Sequence, residues 1–83
     1  QTVSITSFEN IDVEALEFNP APGSSVTKVP LGEVGFPDQS IVGAVNHHGH
    51  ISIAAGDTQL TEDDTALMFA RPDYVSQVEK LFT

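Results

Sequence analysis

The sequence predicts a small α+β fold in which a short helix and a C-terminal helix pack on a mainly antiparallel sheet. Three observations lead to this expectation. Apolar residues alternate or run together in short segments separated by turn residues, which is typical of strands. A His-Gly pair joins two of these segments closely enough for a hairpin. The C-terminal segment carries apolar residues at spacings of three and four, the period of a helix that packs on one side.

The first half of the chain predicts strands, a loop and a helical turn. Residues 3–8 carry apolar side chains in short alternation and form either a strand or the approach to one. In 11–18, acidic residues alternate with apolar ones, as expected for a half-buried strand. Two prolines and a glycine in 19–25 predict a loop. Pro30 and Gly35 are suited to the first position and the end of a short helical turn.

The second half predicts a hairpin, a strand and a helix. Residues 40–54 form the hairpin with its turn at His48-Gly49, and the apolar run 40–45 indicates a strand buried on both faces. A polar corner precedes a second apolar strand at 65–70. Pro72-Asp73 opens the final helix. Its apolar stripe is expected to pack in the core, and a subunit interface is the second interpretation. The stripe consists of Val75, Val78, Leu81 and Phe82.

Composition narrows the function classes. Three Lys and Arg residues stand against twelve Asp and Glu, for a net charge of −9. Binding to a nucleic-acid backbone or an anionic membrane surface needs clustered basic residues, so neither is expected. The acidic balance is compatible with simple solubility, with adaptation to high salt, or with a basic partner. The chain has no cysteine, which excludes disulfides and thiolate chemistry, and no apolar run of membrane-spanning length.

No motif for catalysis or nucleotide binding is present. The sequence lacks the G-x-S-x-G nucleophile elbow, the G-x-G-x-x-G loop and the phosphate-binding loop, so we expect no enzyme activity and no cofactor within this domain. Recognition of phosphate would depend on Lys28, Arg71, Lys80, backbone amides or a partner chain.

The candidate metal ligands are His47, His48 and His50. Their spacing is poor for a metal, because adjacent residues in a strand point to opposite faces. A polar hairpin tip and a pH-sensitive contact at a subunit interface are the alternatives. The acidic run Glu62-Asp63-Asp64 lacks the pattern of a calcium loop and is expected to be a solvated turn.

The ordered series of these segments resembles a known family. The segments are Asp12 to Phe18, Gly23-Ser24-Ser25-Val26, Leu31-x-x-Val34-Gly35-Phe36-Pro37, Ser40 to Val45, His48-Gly49, Gly56-Asp57-Thr58, the strand to Phe69, and Val78 to Phe82. Together they resemble the C-terminal domain of the regulators of potassium conductance, RCK-C or TrkA-C. The resemblance covers about 11–82 and is closest to the final domain of the cytosolic Trk potassium-uptake subunit. The departures from the family's pattern are His47 for Arg, Ala54 for Pro, Asp63-Asp64 for Gly-Asp, and Lys28 for Gly.

The resemblance implies a non-catalytic regulatory domain of a potassium transport system. We expect residues 1–83 to form one domain of a longer chain, with an upstream Rossmann-like domain that would bind NAD or ATP. The implied partners are a second copy, in a homodimer, and a membrane potassium-translocating subunit that places the domain in the cytoplasm at the inner face of the membrane. Cyclic di-AMP or a divalent cation is the implied candidate ligand, and nucleic acid is not expected.

Overall fold

The computed structural model describes residues 2–83, and within them one antiparallel sheet has the strand order β1-β2-β5-β3-β4. The strands are β1 (Thr2–Ser7), β2 (Glu14–Phe18), β3 (Ser40–His47), β4 (His50–Ile53) and β5 (Asp64–Ala70). The helices are α1 (Ser25–Lys28) and α2 (Val75–Phe82), with 3₁₀ turns at Leu31–Glu33 and Pro72–Tyr74. The predicted α+β fold, with its mainly antiparallel sheet and C-terminal helix, is confirmed.

The core lies between one face of the sheet and the helices. Alternate residues of β2 and β5 point to this side and are buried, since successive side chains of a strand point to opposite faces. Helix α2 covers them with Val78 and Phe82, both fully buried. The Phe82 ring stacks on the Phe18 ring with 4.6 Å between centroids. The strands contribute Leu16, Phe18, Val45, Ala66, Met68 and Ala70 to this core.

The 3₁₀ turn Leu31–Glu33 is held against the loop that follows β4. The amide of Leu31 donates to the carbonyl of Thr58 at 2.9 Å, and the amide of Gly32 donates to the carbonyl of Gly56 at 2.8 Å. A β-carbon on Gly32 would lie 3.1 Å from that same carbonyl oxygen, closer than most real contacts. Glycine therefore allows the two backbones to approach here.

The β3–β4 hairpin has the two-residue turn that the sequence predicts. His48 and Gly49 both have positive φ angles, 50° and 86°, the pattern of a type I′ turn that matches the strand twist. The Asn46 side chain accepts a hydrogen bond from the Gly49 amide at 2.8 Å. The register pairs His47 with His50, so both histidines lie at the tip of the hairpin.

Two sequence expectations for the elements need correction. The run 40–45 is not buried on both faces: Ile41 is 63% exposed, and Val45 is the buried hydrophobic residue of β3. The helices cover one face of the sheet, so the outward residues of β3 remain in solvent. Residues 25–28 form helix α1, which the sequence did not predict: the loop predicted at 19–25 overlaps it only at Ser25, and a helix of four residues has too few turns to show a period.

Candidate functional site

The face of the sheet opposite the helices is here called the open face. Its outward side chains are polar on some strands and apolar on others. On β1 and β2 it presents polar side chains such as Ser4 and Glu17, which hydrogen-bond to each other at 2.8 Å. On β3, β4 and β5 it presents large apolar side chains. We call this second region the apolar half-face, and it consists of Ile41, Ile51, Ile53, Leu67 and Phe69.

The strand register places the members of the apolar half-face side by side. Ile41 is the cross-strand partner of Phe69, and Ala44 lies between Leu67 on β5 and Ile53 on β4. Ile53 is 81% exposed and Ile51 is 60% exposed, since β4 is the edge strand and each has a cross-strand neighbour on β3 only. A contiguous apolar surface of this kind on an open sheet marks a contact site.

The strands β3 and β4 bring no acidic residue to the apolar half-face, which is bordered by one carboxylate on β2. Residues 39–56, which form β3, β4 and their turn, contain none of the twelve carboxylates and none of the three cations. The nearest acidic residue on the open face is Glu17, whose cross-strand partner is Leu67. This part of the surface is thus uncharged apart from histidine, in a chain of net charge −9.

A cleft of about 290 Å³ lies at one end of the sheet, and we call it the end cleft. Its lining includes no charged side chain, and the Ser40 hydroxyl in it already donates to the carbonyl of Pro37 at 2.6 Å. Its size is at the lower limit of small-molecule sites, and its walls are suited to an apolar group or a flat ring. The lining residues are Leu31, Gly32, Phe36, Ser40, Ile41, Val42, Ala54, Ala55 and Gly56.

The candidate metal ligands are brought to the hairpin tip, and two of them lie beside carboxylates. His47 Nδ1 is hydrogen-bonded to Asp64 Oδ1, and His48 Nε2 lies 3.9 Å from Asp63 Oδ2. The rings of His47 and His48 meet edge to face, with centroids 4.4 Å apart. Over residues 2–83, no three side chains of the His, Asp and Glu type are grouped as metal ligands. His47 thus serves here as a hydrogen-bond partner of Asp64 at the end of the sheet.

Asp64 is buried, although the acidic run that contains it was expected to be a solvated turn. It is 4% exposed, and its Oδ2 accepts a hydrogen bond from the Thr61 amide at 2.8 Å. The Asp64 amide in turn donates to the Thr61 carbonyl at 3.1 Å. Asp64 therefore closes the turn before β5 and joins it to β3 through His47. The spacing of Thr61 and Asp64 was the available sequence signal, since such side chains often bond backbone amides nearby.

The three cations do not line the end cleft. The Arg71 guanidinium lies 3.2 Å from Asp12 Oδ2 in an exposed ion pair. Lys28 ends helix α1, and Lys80 lies in the last turn of helix α2, where a cation favours the helix dipole. Phosphate recognition by these three side chains stays a prediction that the geometry of the cleft does not favour.

No helix in residues 2–83 is long and apolar enough to cross a membrane. The fold and its surface define a class of protein: a small α+β domain with an uncovered apolar sheet face and an apolar cleft. The sequence profile of the TrkA-C domain matches residues 15–83. The chain belongs to the TrkA-C domain family.

Three curated relatives carry names from one transport system. The chain is 30% identical over 79 residues to "Trk system potassium uptake protein TrkA homolog 2" of Methanosarcina mazei, covering 95% of this chain and 18% of the relative. It is 34% identical over 74 residues to "Trk system potassium uptake protein TrkA" of Azorhizobium caulinodans, covering 89% and 15%. It is 22% identical over 80 residues to "Trk system potassium uptake protein TrkA homolog" of Archaeoglobus fulgidus, covering 96% and 18%. The chain thus spans less than a fifth of the length of each.

Proposed function

We propose that this chain is a non-catalytic regulatory domain of a potassium transport system. The observation that carries the proposal is the family match over residues 15–83, together with three relatives that are named as Trk potassium uptake proteins. The surface supports it, because an apolar sheet face and an apolar cleft are suited to association and ligand contact. The domain would act by binding, with no chemical step of its own.

The proposed assembly has three parts. A second copy of the domain forms a homodimer with the first, and an upstream Rossmann-like domain of the same polypeptide binds NAD or ATP. A membrane potassium-translocating subunit holds the assembly in the cytoplasm at the inner face of the membrane. A ligand regulates such an assembly only if it binds two of its states with different affinity. A domain at a dimer contact contributes by changing that contact between the states.

The end cleft is the proposed place for a small ligand such as cyclic di-AMP. Its apolar walls offer stacking to a purine ring, and Ala55 and Gly56 are among its lining residues. Charge neutralisation of the phosphates would have to come from backbone amides or the second copy, because no cation lines the cleft. His47, which stands where the family's pattern often has arginine, is engaged with Asp64. A divalent cation at the acidic surface is the other candidate ligand.

Ion uptake tests the proposed function directly. The full polypeptide that carries this domain is expressed with its membrane subunit in cells that lack potassium uptake, either intact or without residues 1–83. Rubidium uptake is then measured at low and high external potassium. We expect the intact protein to change its uptake rate with conditions and the truncated one to lose that response. Equal regulation in both would contradict a regulatory role for this domain.

A melting scan tests which candidate ligand binds the domain. Anything that binds only the folded domain raises its melting midpoint. We expect a saturable rise with micromolar cyclic di-AMP, and no rise in an Ala54→Trp variant, whose larger side chain fills the end cleft. An Ile5→Trp variant, far from the cleft lining, is the matched control and should keep the rise. A rise with Mg²⁺ or Ca²⁺ alone would instead favour the divalent cation, and ATP and NADH should have no effect on this domain.

The same scan addresses the metal-binding alternative. Zn²⁺ should leave the midpoint unchanged if the histidines only form hydrogen bonds at the hairpin tip. A Zn²⁺ rise that disappears when the three histidines are replaced by glutamine would make this chain a metal-binding module. The residues replaced are His47, His48 and His50.

A further inference from the structure

We infer that the outer edge of strand β1 accepts a further strand, supplied by a segment of the same polypeptide outside residues 1–83. The inference rests on the proposed function only in taking this chain as part of a longer protein. It concerns the edge of the sheet opposite to β4, and it would extend the sheet by one strand beyond β1.

The backbone edge of β1 is unpaired and lacks the usual protection. Over the described residues 2–83, β1 pairs with β2 alone, so its other side bonds to no strand. The register shifts between Thr2 and Ser4, and from Ser4 to Ser7 the pairing with β2 is regular. Natural edge strands block further pairing with charged residues, especially lysine, or with proline. Residues 2–8 contain no charged residue and no proline, so this edge can take another strand.

The covered face of the sheet is incomplete at β1. Ile5 is the cross-strand partner of Leu16, so both side chains point to the helix side of the sheet. Leu16 is fully buried, whereas Ile5 is 52% exposed. The helices therefore bury the β2 member of this pair and leave the β1 member half in solvent. A segment that pairs with β1 and carries an apolar side chain on the helix side would bury Ile5 and continue the core.

The connection from β1 to β2 brings more apolar surface to the same edge. Phe8 is 47% exposed and Ile11 is 63% exposed. Single exposed apolar residues are ordinary, but Ile5, Phe8 and Ile11 lie within a short stretch of chain at one border of the sheet. An unprotected backbone edge and an uncovered apolar border thus occur together, and one added strand would satisfy both.

The occupant that fits this edge is another part of the same polypeptide. The chain spans only 15% to 18% of the three curated relatives, so a protein of that length has several times more chain outside this domain. A tethered segment meets the edge at a high effective concentration. A second copy would instead bring its own net charge of −9 against this one. The segment should be extended, free of acidic residues, and apolar at alternate positions, because main-chain bonds and alternate side chains determine strand addition.

Hydrogen exchange in the full polypeptide that carries this domain tests the inference. A free edge protects only alternate amides of β1, those that donate to β2, while an added strand also protects the amides between them. We expect the consecutive amides from Ser4 to Ser7 all to exchange at least about 100-fold more slowly than in the unfolded chain. Strand β2, which is paired on both sides, is the internal reference for full protection.

Two lysine variants separate the helix side of β1 from its open face. Ile5→Lys places a charge where the added segment should cover the sheet, and Thr6→Lys places the same charge on the open face. Ile5→Lys should speed exchange of the outward β1 amides at least about tenfold, and Thr6→Lys less than about threefold. Because Ile5 is half exposed, the lysine stem can lie along the sheet. Unchanged protection of β2 shows that both variants stay folded.

Three outcomes would overturn the inference. The first is rapid exchange of alternate β1 amides in the wild-type polypeptide. The second is full protection that Ile5→Lys leaves unchanged. The third is protection that disappears when the protein is diluted about 100-fold, since a separate molecule would then occupy the edge. Regulated rubidium uptake is measured separately, so a free β1 edge with intact regulation would contradict this inference and leave the proposed function in place.

Discussion

Replacing Phe82 by alanine removes the side chain that joins helix α2 to the sheet. Phe82 is fully buried, stacks on Phe18 at 4.6 Å and contacts the Phe36 ring at 6.2 Å. Burying a phenylalanine side chain stabilises a protein by about 1.5–3 kcal/mol, and the cavity left behind brings typical Phe→Ala losses to about 3–5 kcal/mol. We expect the free energy of unfolding to fall by about 4 kcal/mol, because the Phe18 ring is also left without its stacking partner.

This loss is large for a domain of this size. At about 0.05–0.15 kcal/mol per residue, a chain of 83 residues has a free energy of unfolding of about 4–12 kcal/mol. The melting midpoint should fall by about 15–30 °C, at roughly 4–8 °C per kcal/mol. Urea unfolding at 25 °C, followed by circular dichroism, gives the free energy. Repeating it at several protein concentrations separates any contribution from association of copies, which would make stability depend on concentration.

Phe8→Ala is the matched control for the same chemical change. Phe8 is 47% exposed, so its replacement should cost less than about 1 kcal/mol. Phe82→Leu should cost about 1 kcal/mol, because most of the volume and all of the apolar character stay. A Phe82→Ala loss below about 1 kcal/mol, or one no larger than that of Phe8→Ala, would refute the placement of helix α2 on the sheet.

Other perturbations follow from the loops and the charge. Gly32→Ala should cost about 1–3 kcal/mol in urea unfolding, because its β-carbon would meet the Gly56 backbone at 3.1 Å; a neutral effect would show that the 3₁₀ turn is not held there. Asp64→Ala should cost about 1–3 kcal/mol and more than His47→Ala, since it removes the buried carboxylate that both the Thr61 amide and His47 bond; the reverse order would contradict the turn-closing role. Raising KCl from ~0.05 to ~1 M should raise the melting midpoint by several degrees, as screening weakens carboxylate repulsion. NaCl should act equally, and a response to KCl alone would indicate a specific potassium site instead.

The elements with a clear period were predictable from the sequence. The hairpin turn at His48-Gly49 and the helix stripe through Val78 and Phe82 both appear where their residues indicate. Strand β2 begins at Glu14, later than the predicted Ile11, because residues 11–13 form a tight turn in which the Val13 amide donates to Ile11 at 2.8 Å. Alternation of residue types continues through such a turn, so it does not mark where backbone pairing starts.

The candidate site was less predictable. The histidines are candidate metal ligands because imidazole binds metals, but the carboxylate partners of His47 and His48 are distant in the chain: Asp64 is 17 residues from His47, and Asp63 is 15 residues from His48. The end cleft combines a 3₁₀ turn, strand β3 and the loop after β4, and no local pattern relates these segments. The prediction that 40–45 is buried on both faces was wrong at Ile41, because an exposed apolar run and a buried one have the same residue types.

The sequence by itself determined the strands, the hairpin, the final helix and the acidic charge, and it indicated the TrkA-C family. Each of these depends on residues that are near one another in the chain or on composition. Only the tertiary structure decided which face of the sheet the helices cover, that Asp64 is buried and that Ile41, Ile51 and Ile53 are exposed. The physical reason is that burial depends on which elements pack together across long sequence separations. The residue types of a run such as Ile41 to Val45 do not indicate whether another element covers it.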